Sequence, residues 1–361
     1  MSGPAPRPGI LDLKPYVGGL HSVPGVERVI VLASNESPLG PSEKAVAAFR
    51  DEASHLHRYP DGSAAALRQA IARRFGCDAD RIVCGSGSDE LLGMLTRAYA
   101  GPGDEVLYSA HGFLMYPISA TSVGATPVAA PETNLTTDVD ALLARVNERT
   151  RVVFIANPNN PTGSYLTTAE MERLHAGLPA HVLLVIDAAY AEYCTRNDYT
   201  PGFHLVERHD NVVMTRTFSK VFGLAALRLG WAYCPPAVAD VLNRIRGPFN
   251  VSIPAQAAGV AAMEDVAHTD RSLAHNAEWL PWLARELAAL GLTVHPSVAN
   301  FLLVQFASVD TAKAAYEYLL SQGIITRMMG GYGLPDCLRV TIGAGDELQA
   351  LVDALARHLE R

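Results

Sequence analysis

The chain has 361 residues, of which 49% are hydrophobic and 18% charged, and a formal net charge of -8. That length allows a large core and two domains, and the composition is that of a globular rather than a disordered protein. With an acidic balance and no long basic run, nucleic acid and anionic membrane are poor partners, so an anionic substrate would need a local cluster of arginines.

The Pro-rich first ten residues read as a loose arm. Helical patterns follow at 63–75, 88–100, 168–176 and 235–245. Between them lie β-rich runs at 81–84, 105–108, 151–156, 181–186 and 211–215. Such alternation predicts βαβ units and a mostly parallel sheet. After Pro254 the pattern changes to one long helix over 254–290, then an α+β tail with strands near 300–306 and 338–342. This change predicts a second, smaller domain, which the extended N-terminal segment would join.

In an open α/β sheet, ligands sit outside the carboxyl ends of the strands, and the chemically loaded residues fall there. Gly85-Ser86-Gly87-Ser88-Asp89-Glu90 joins a strand to a helix. Its backbone can approach an anion, with Ser88 and Asp89 as the contacts, although many such turns are Gly/Ser-rich. Phe113 could stack on a flat ligand, though core packing explains its spacing more simply. Asn157 opens the rigid loop Asn157-Pro158-Asn159-Asn160-Pro161-Thr162-Gly163. Asp187 ends an apolar run, where a carboxylate is costly unless paired, and Tyr190 follows three residues on.

Lys220 lies among apolar residues in Arg216-Thr217-Phe218-Ser219-Lys220-Val221-Phe222-Gly223, with Arg228 eight positions later. A buried lysine becomes a usable amine nucleophile, and Thr217, Ser219 and Arg228 are donors suited to a phosphate. An imine-forming amine beside a phosphate site suggests pyridoxal phosphate, with Asp187 pairing the ring nitrogen and Tyr190 and Asn157 the phenolate oxygen. In the tail, Arg327 follows one strand-like run and Arg339 lies inside another. An arginine in such a strand must meet an anion: a bidentate clamp on a substrate carboxylate suits Arg339, and a structural ion pair suits Arg327 better.

The histidines show no metal-ligand spacing, and no dinucleotide or hydrolase motif appears. The five cysteines include no Cys-x-x-Cys pair, which points to a reducing compartment. With no signal pattern and no apolar run near the ~18 residues of a membrane span, the chain is read as soluble and cytoplasmic.

Taken in order, these motifs resemble the class-II branch of the PLP-dependent aminotransferases of fold type I, most closely the histidinol-phosphate aminotransferase family. The likeness runs from Leu13-Lys14-Pro15-Tyr16 through Ala33-Ser34-Asn35-Glu36-Ser37-Pro38, Arg58-Tyr59-Pro60-Asp61-Gly62 and the Lys220 run, to Gly331-Tyr332-Gly333 and Leu338-Arg339-Val340-Thr341. It implies a large domain (45–251) with a mostly parallel seven-stranded sheet flanked by helices. It also implies a smaller α+β domain built from 1–44 and 252–361. Lys220 would carry the cofactor, with Asp187, Tyr190, Asn157 and Phe113 around its ring. Ser88, Asp89, Thr217, Ser219 and Arg228 would hold its phosphate, joined by Tyr59 of the other subunit of a homodimer. Tyr16, Asn35, Arg327 and Arg339 would bind substrate. Four positions depart from the family pattern: His111-Gly112 before Phe113, Ala226 for a frequent glycine, and Ser37 for a frequent asparagine.

The implied reaction is ping-pong amino transfer in L-histidine biosynthesis, between L-glutamate and imidazole-acetol phosphate. An aromatic or broad-specificity aminotransferase shares the machinery. A threonine-phosphate decarboxylase shares the scaffold and would release CO₂ without needing 2-oxoglutarate. A PLP-sensing regulator would carry a DNA-binding extension, of which the sequence shows none.

Overall fold

The computed structural model describes residues 3–15, 18–26 and 28–360. Leu183–Asp187, buried at every position, is the middle of a seven-stranded sheet. It pairs in parallel with Thr150–Ala156 on one side and Val212–Thr217 on the other. A strand covered on both faces reads as an unbroken apolar run, which is the signal at 181–186. Glu105–Ser109 and Thr126–Ala130 extend the parallel set at one edge. On the other side Gly230–Tyr233 runs antiparallel to Val212–Thr217, and Ile82–Gly85 pairs beyond it.

Two of these strands lie outside the runs that the sequence marks. Thr126–Ala130 is a partly exposed edge strand containing a proline, and Gly230–Tyr233 is only four residues long. Neither is long or periodic enough to show in a window of sequence. Helices Ala65–Phe75, Ser88–Tyr99, Thr168–Gly177 and Pro236–Ile245 form where their periodicity predicts them. Apolar clusters cover both faces of the sheet.

The single helix expected over 254–290 is two helices, Ile253–Glu264 and Val266–Ala289. They meet at Asp265 (φ -89°, ψ 70°), whose carboxylate accepts from the His268 N–H and caps the second helix. The first packs on Glu43–Asp51 and Ala65–Phe75 and buries Ala255, Ala258, Ala262 and Met263 in the main-sheet core. The second leaves that layer: Leu273 packs with the main-sheet cluster, Leu283 and Leu287 with a separate one.

That separate cluster backs a four-stranded antiparallel sheet in the order Thr293–His295, Phe301–Gln305, Leu334–Thr341, Arg327–Met329. The N-terminal segment joins this layer, because Ile30–Val31 pairs in parallel with Ile324–Ile325. Leu32 continues the tie by donating to the Ile325 carbonyl (2.7 Å) and accepting from the Thr341 N–H (2.9 Å).

The carboxyl ends of the parallel strands share one edge, and Gly230 starts its antiparallel strand there. A Cβ on Gly230 would lie 2.4 Å from the Ser88 nitrogen and 2.6 Å from the Gly87 carbonyl carbon. Only glycine lets this strand approach the start of the Ser88–Tyr99 helix. Gly230→Ala is expected to cost about 1–3 kcal/mol by overpacking against backbone. Denaturant titration checks this, and an unshifted midpoint would contradict the close approach.

Candidate active site

At that shared edge, between the two sheets, lies a cavity of about 310 Å³. Every expected site residue that the structure describes lines it except Asn157 and Tyr59.

One end is built for an anion. The Ser88–Tyr99 helix starts after Gly87 (φ 82°, ψ 164°) with no side chain capping it, so its first N–H groups stay available to a ligand. Arg228 takes a left-handed backbone (φ 48°) and donates to Asp89 Oδ2 (3.0 Å) and the Ala225 carbonyl (3.1 Å). The positive φ of Gly87 is a conformation that other residues rarely adopt, so glycine is favoured there too. The Thr217 hydroxyl donates to Ser219 Oγ (3.0 Å) beside this guanidinium. A helix amino end, a guanidinium and two hydroxyls together match a phosphate.

The floor is Asp187, 5% exposed at the end of its strand. The Tyr116 hydroxyl donates to Oδ2 (2.9 Å) and the Thr215 hydroxyl to Oδ1 (3.5 Å). Burial outweighs these bonds and raises the carboxyl to about 6. Neither partner is cationic, so a protonated ring nitrogen would supply what this carboxylate lacks. Tyr116 is a site residue that the sequence reading passes over. It stacks on Phe154 (4.7 Å, 3°) and meets Phe113 edge-on. Its position three residues beyond Phe113, one helical turn away, was the available signal.

Lys220 donates from Nζ to the Ser34 carbonyl (2.9 Å) and sits 5.7 Å from the Tyr190 ring centre. Burial, then the nearby Arg339, lowers the amine to about 8. A usable fraction is therefore neutral and nucleophilic near neutral pH. The Tyr190 hydroxyl accepts from Asn35 Nδ2 (2.9 Å), leaving its own proton to donate, and burial keeps that proton on. Asn35 is held at φ 55° by its N–H to Thr341 Oγ1 (2.9 Å) and by Asn300, which donates to its carbonyl (3.0 Å).

The far wall carries the two tail arginines. Arg339, 6% exposed, donates to the Ala33 carbonyl (2.6 Å) and to Asn160 Oδ1, while its Nε has no partner. All these acceptors are neutral, and among the described residues no carboxylate pairs with it. Arg327 faces it directly in the antiparallel register. Like charges directly opposite on neighbouring strands repel, so the pair is suited to closing on an anion. Asn160 is a second residue missed by sequence reasoning, although it stands inside the loop motif.

Two of the expected residues that the structure describes lie elsewhere. Asn157 is buried below the cavity, where its amide donates to the Leu166 carbonyl (3.0 Å) and accepts from the Leu166 N–H (2.9 Å). These bonds pin the return of the 157–166 loop and engage one of the two Nδ2 hydrogens. Tyr59 is 81% exposed and stacks on Phe249 (4.7 Å). Tyr16 lies outside the described residues.

Residues 27–355 match the family model for class I and II aminotransferases. The chain belongs to the class I and II aminotransferases. It is 63% identical to the histidinol-phosphate aminotransferase of Rhodospirillum centenum, with all of both chains covered. It is also 63% identical to the enzyme of that name from Paramagnetospirillum magneticum, over 98% of each chain. Among solved structures, the histidinol-phosphate aminotransferase of Sinorhizobium meliloti, in complex with pyridoxal-5'-phosphate, superposes with a TM-score of 0.92. That match has 30% identity and covers 99% of both chains. Membership in this family agrees with a buried amine, an unpaired buried carboxylate and an anion cradle meeting in one cavity.

Asp187 gives this family's site a measurable pH signature. Its carboxyl titrates near 3.8 when unfolded and about 6 when folded, so protonation stabilises the folded chain at low pH. That contribution is full below the unfolded value and is lost as pH rises through about 6. Cofactor-free Asp187→Asn is expected to be more stable than the parent by about 2–3 kcal/mol near pH 8, and nearly equal to it around pH 4. Chemical denaturation at both pH values checks this, and a difference independent of pH would contradict it.

Proposed function

We propose that this chain is a pyridoxal-phosphate-dependent aminotransferase of L-histidine biosynthesis. It exchanges an amino group reversibly between L-histidinol phosphate and 2-oxoglutarate, giving imidazole-acetol phosphate and L-glutamate. End-to-end identity with enzymes of that name supports the reading. The observation that carries it is the Arg327–Arg339 pair, two arginines partnered across neighbouring strands and both lining the cavity, where an amino acid substrate would present a carboxylate and histidinol phosphate a phosphate.

Pyridoxal phosphate fits the residues present. Ser88, Asp89, Thr217, Ser219 and Arg228 would hold its phosphate, Asp187 its ring nitrogen, Tyr190 its phenolate oxygen and Phe113 a ring face. Asn157 serves from below by fixing the loop. When bound, the cofactor supplies an aldehyde that captures an amine and a ring that accepts the electron pair of the breaking Cα–H bond. Lys220 would carry that cofactor between turnovers, and its freed amine would take the proton from the substrate Cα as general base and deliver it to the former aldehyde carbon as general acid. Asp187 would keep a proton at the ring nitrogen. Tyr190, oriented by Asn35, would donate to the phenolate oxygen. Arg339 receives the α-carboxylate of L-glutamate in one half-reaction and shares the substrate phosphate with Arg327 in the other, where Tyr16 is the third candidate ligand.

The working unit is proposed to be a homodimer in which Tyr59 reaches the partner's cofactor phosphate. The exposed stack of Tyr59 on Phe249, with Leu56 69% exposed nearby in sequence, supports an interface there. The chain divides into a large domain (45–251) and a small domain (1–44 with 252–361), and the packing of Ile253–Glu264 favours moving that boundary to Asp265. Among the described residues no helix is long and apolar enough to cross a membrane. With the cysteines of the structure unpaired, this agrees with a cytoplasmic enzyme.

The test is the half-reaction of the holoenzyme, followed by its absorbance, with L-histidinol phosphate against L-phenylalanine. The parent should strongly prefer histidinol phosphate. Arg327→Met should lower kcat/KM for histidinol phosphate by roughly 10- to 100-fold, the worth of a charge-assisted contact, and affect phenylalanine far less. Equal losses on both substrates would assign Arg327 a structural role, and faster reaction with phenylalanine would make the chain an aromatic aminotransferase.

A further inference from the structure

We propose that Glu36 accepts a hydrogen bond from the imidazole ring of the substrate and so selects it over aromatic side chains of similar shape. The proposal rests on the reading of histidinol phosphate as substrate. Of the acidic side chains lining the cavity, two already have a role. Asp89 pairs with Arg228, and Asp187 lies under Tyr116 and Thr215 where the cofactor ring nitrogen would meet it. Glu36 is the third. It is half-buried and, among the described residues, takes part in no hydrogen bond or ion pair given by the structure.

Its placement is fixed from behind. The residue before it, Asn35, is tied by its N–H to Thr341, by its carbonyl to Asn300 and by its amide to Tyr190. Two residues before it, the Ser34 carbonyl holds the Lys220 amine, so Glu36 projects from a rigid stretch next to the reacting centre. Its charge reaches Lys220 and favours the protonated amine.

A carboxylate in this cavity works against the rest of the site, which must hold a cofactor phosphate and a substrate anion. Its place is explained if it meets a donor carried by the substrate. The imidazole N–H is that donor, and a phenyl ring has none. A site built to hydrogen-bond a polar group rejects the isostere lacking it, because the buried acceptor is left unpaired. With the amine at Lys220 and the phosphate at the arginine pair, the ring is the part of the substrate still without a polar partner.

The test uses unreactive ligands on the holoenzyme: imidazolyl-propyl phosphate and phenyl-propyl phosphate, which keep ring and phosphate but lack the amine. Calorimetry gives Kd for each with the parent and with Glu36→Gln, whose cofactor absorbance reports intact folding. The parent should bind the imidazole ligand roughly tenfold more tightly than the phenyl ligand. Glu36→Gln should lose most of that preference by weakening the imidazole ligand, leaving the phenyl ligand within about twofold. Equal weakening of both ligands, or no change in either, overturns the assignment of Glu36. If the parent holds neither phosphate better than the corresponding alcohol, the histidinol-phosphate reading itself falls, and this inference with it.

Discussion

Two cations at the heart of the molecule are held by consecutive backbone carbonyls. Arg339 donates to the carbonyl of Ala33 and Lys220 to that of Ser34. A carbonyl satisfies the geometry of a hydrogen bond without neutralising the charge, so both groups stay electrostatically unfulfilled in a poorly solvated place. Arg339 comes from the small sheet and Lys220 from the end of a large-sheet strand, and the stretch from Leu32 to Glu36 lies across the gap between them. This crosspiece is tied to both layers, by Leu32 and Asn35 to Thr341 and by Asn35 to Tyr190. The site therefore depends on a short N-terminal segment being threaded between two independently packed cores.

The opposite charge is treated the same way. Asp187 has hydroxyl donors and no cation, and burial raises its carboxyl to about 6 while burial lowers Lys220 to about 8. Moving an acid up and a base down by desolvation is how a site prepares to exchange protons near neutrality. The arrangement is specific: one carboxylate without a cation, one helix amino end with no side-chain cap, and two arginines paired across neighbouring strands. Each matches a different part of a ring phosphate and its anionic substrate, so the electrostatics are arranged before any ligand arrives.

Most of this was legible in the sequence because strand ends announce themselves. A long apolar run that stops at Asp187 places a polar group at a sheet edge by the geometry of the strand alone. What remained hidden depends on register and on short-range competition for hydrogen bonds. Arg327 faces Arg339 only because of the local pairing, which shifts register between Met328 and Met329. Asn157 heads a recognisable motif, yet nothing in the sequence shows that its Oδ1 and one amide hydrogen bind Leu166, nine residues on in a loop whose return path no periodicity describes. Tyr116 lies one helical turn past Phe113 and carries no motif of its own. Asp265 sat unnoticed in an uninterrupted helical pattern, because a capping aspartate between two helices looks like any polar position of one.

The central claim is that burial, with Arg339 nearby, outweighs the acidic groups around Lys220 and depresses its pKa in the cofactor-free protein. The direct measurement is the rate at which that protein couples pyridoxal phosphate, followed by absorbance across the alkaline range. Only the neutral amine reacts, so the rate should rise with pH and level off with a midpoint of about 8. A midpoint near 10.5, the value of an ordinary lysine, would mean that the amine is solvated or paired, and would contradict the account.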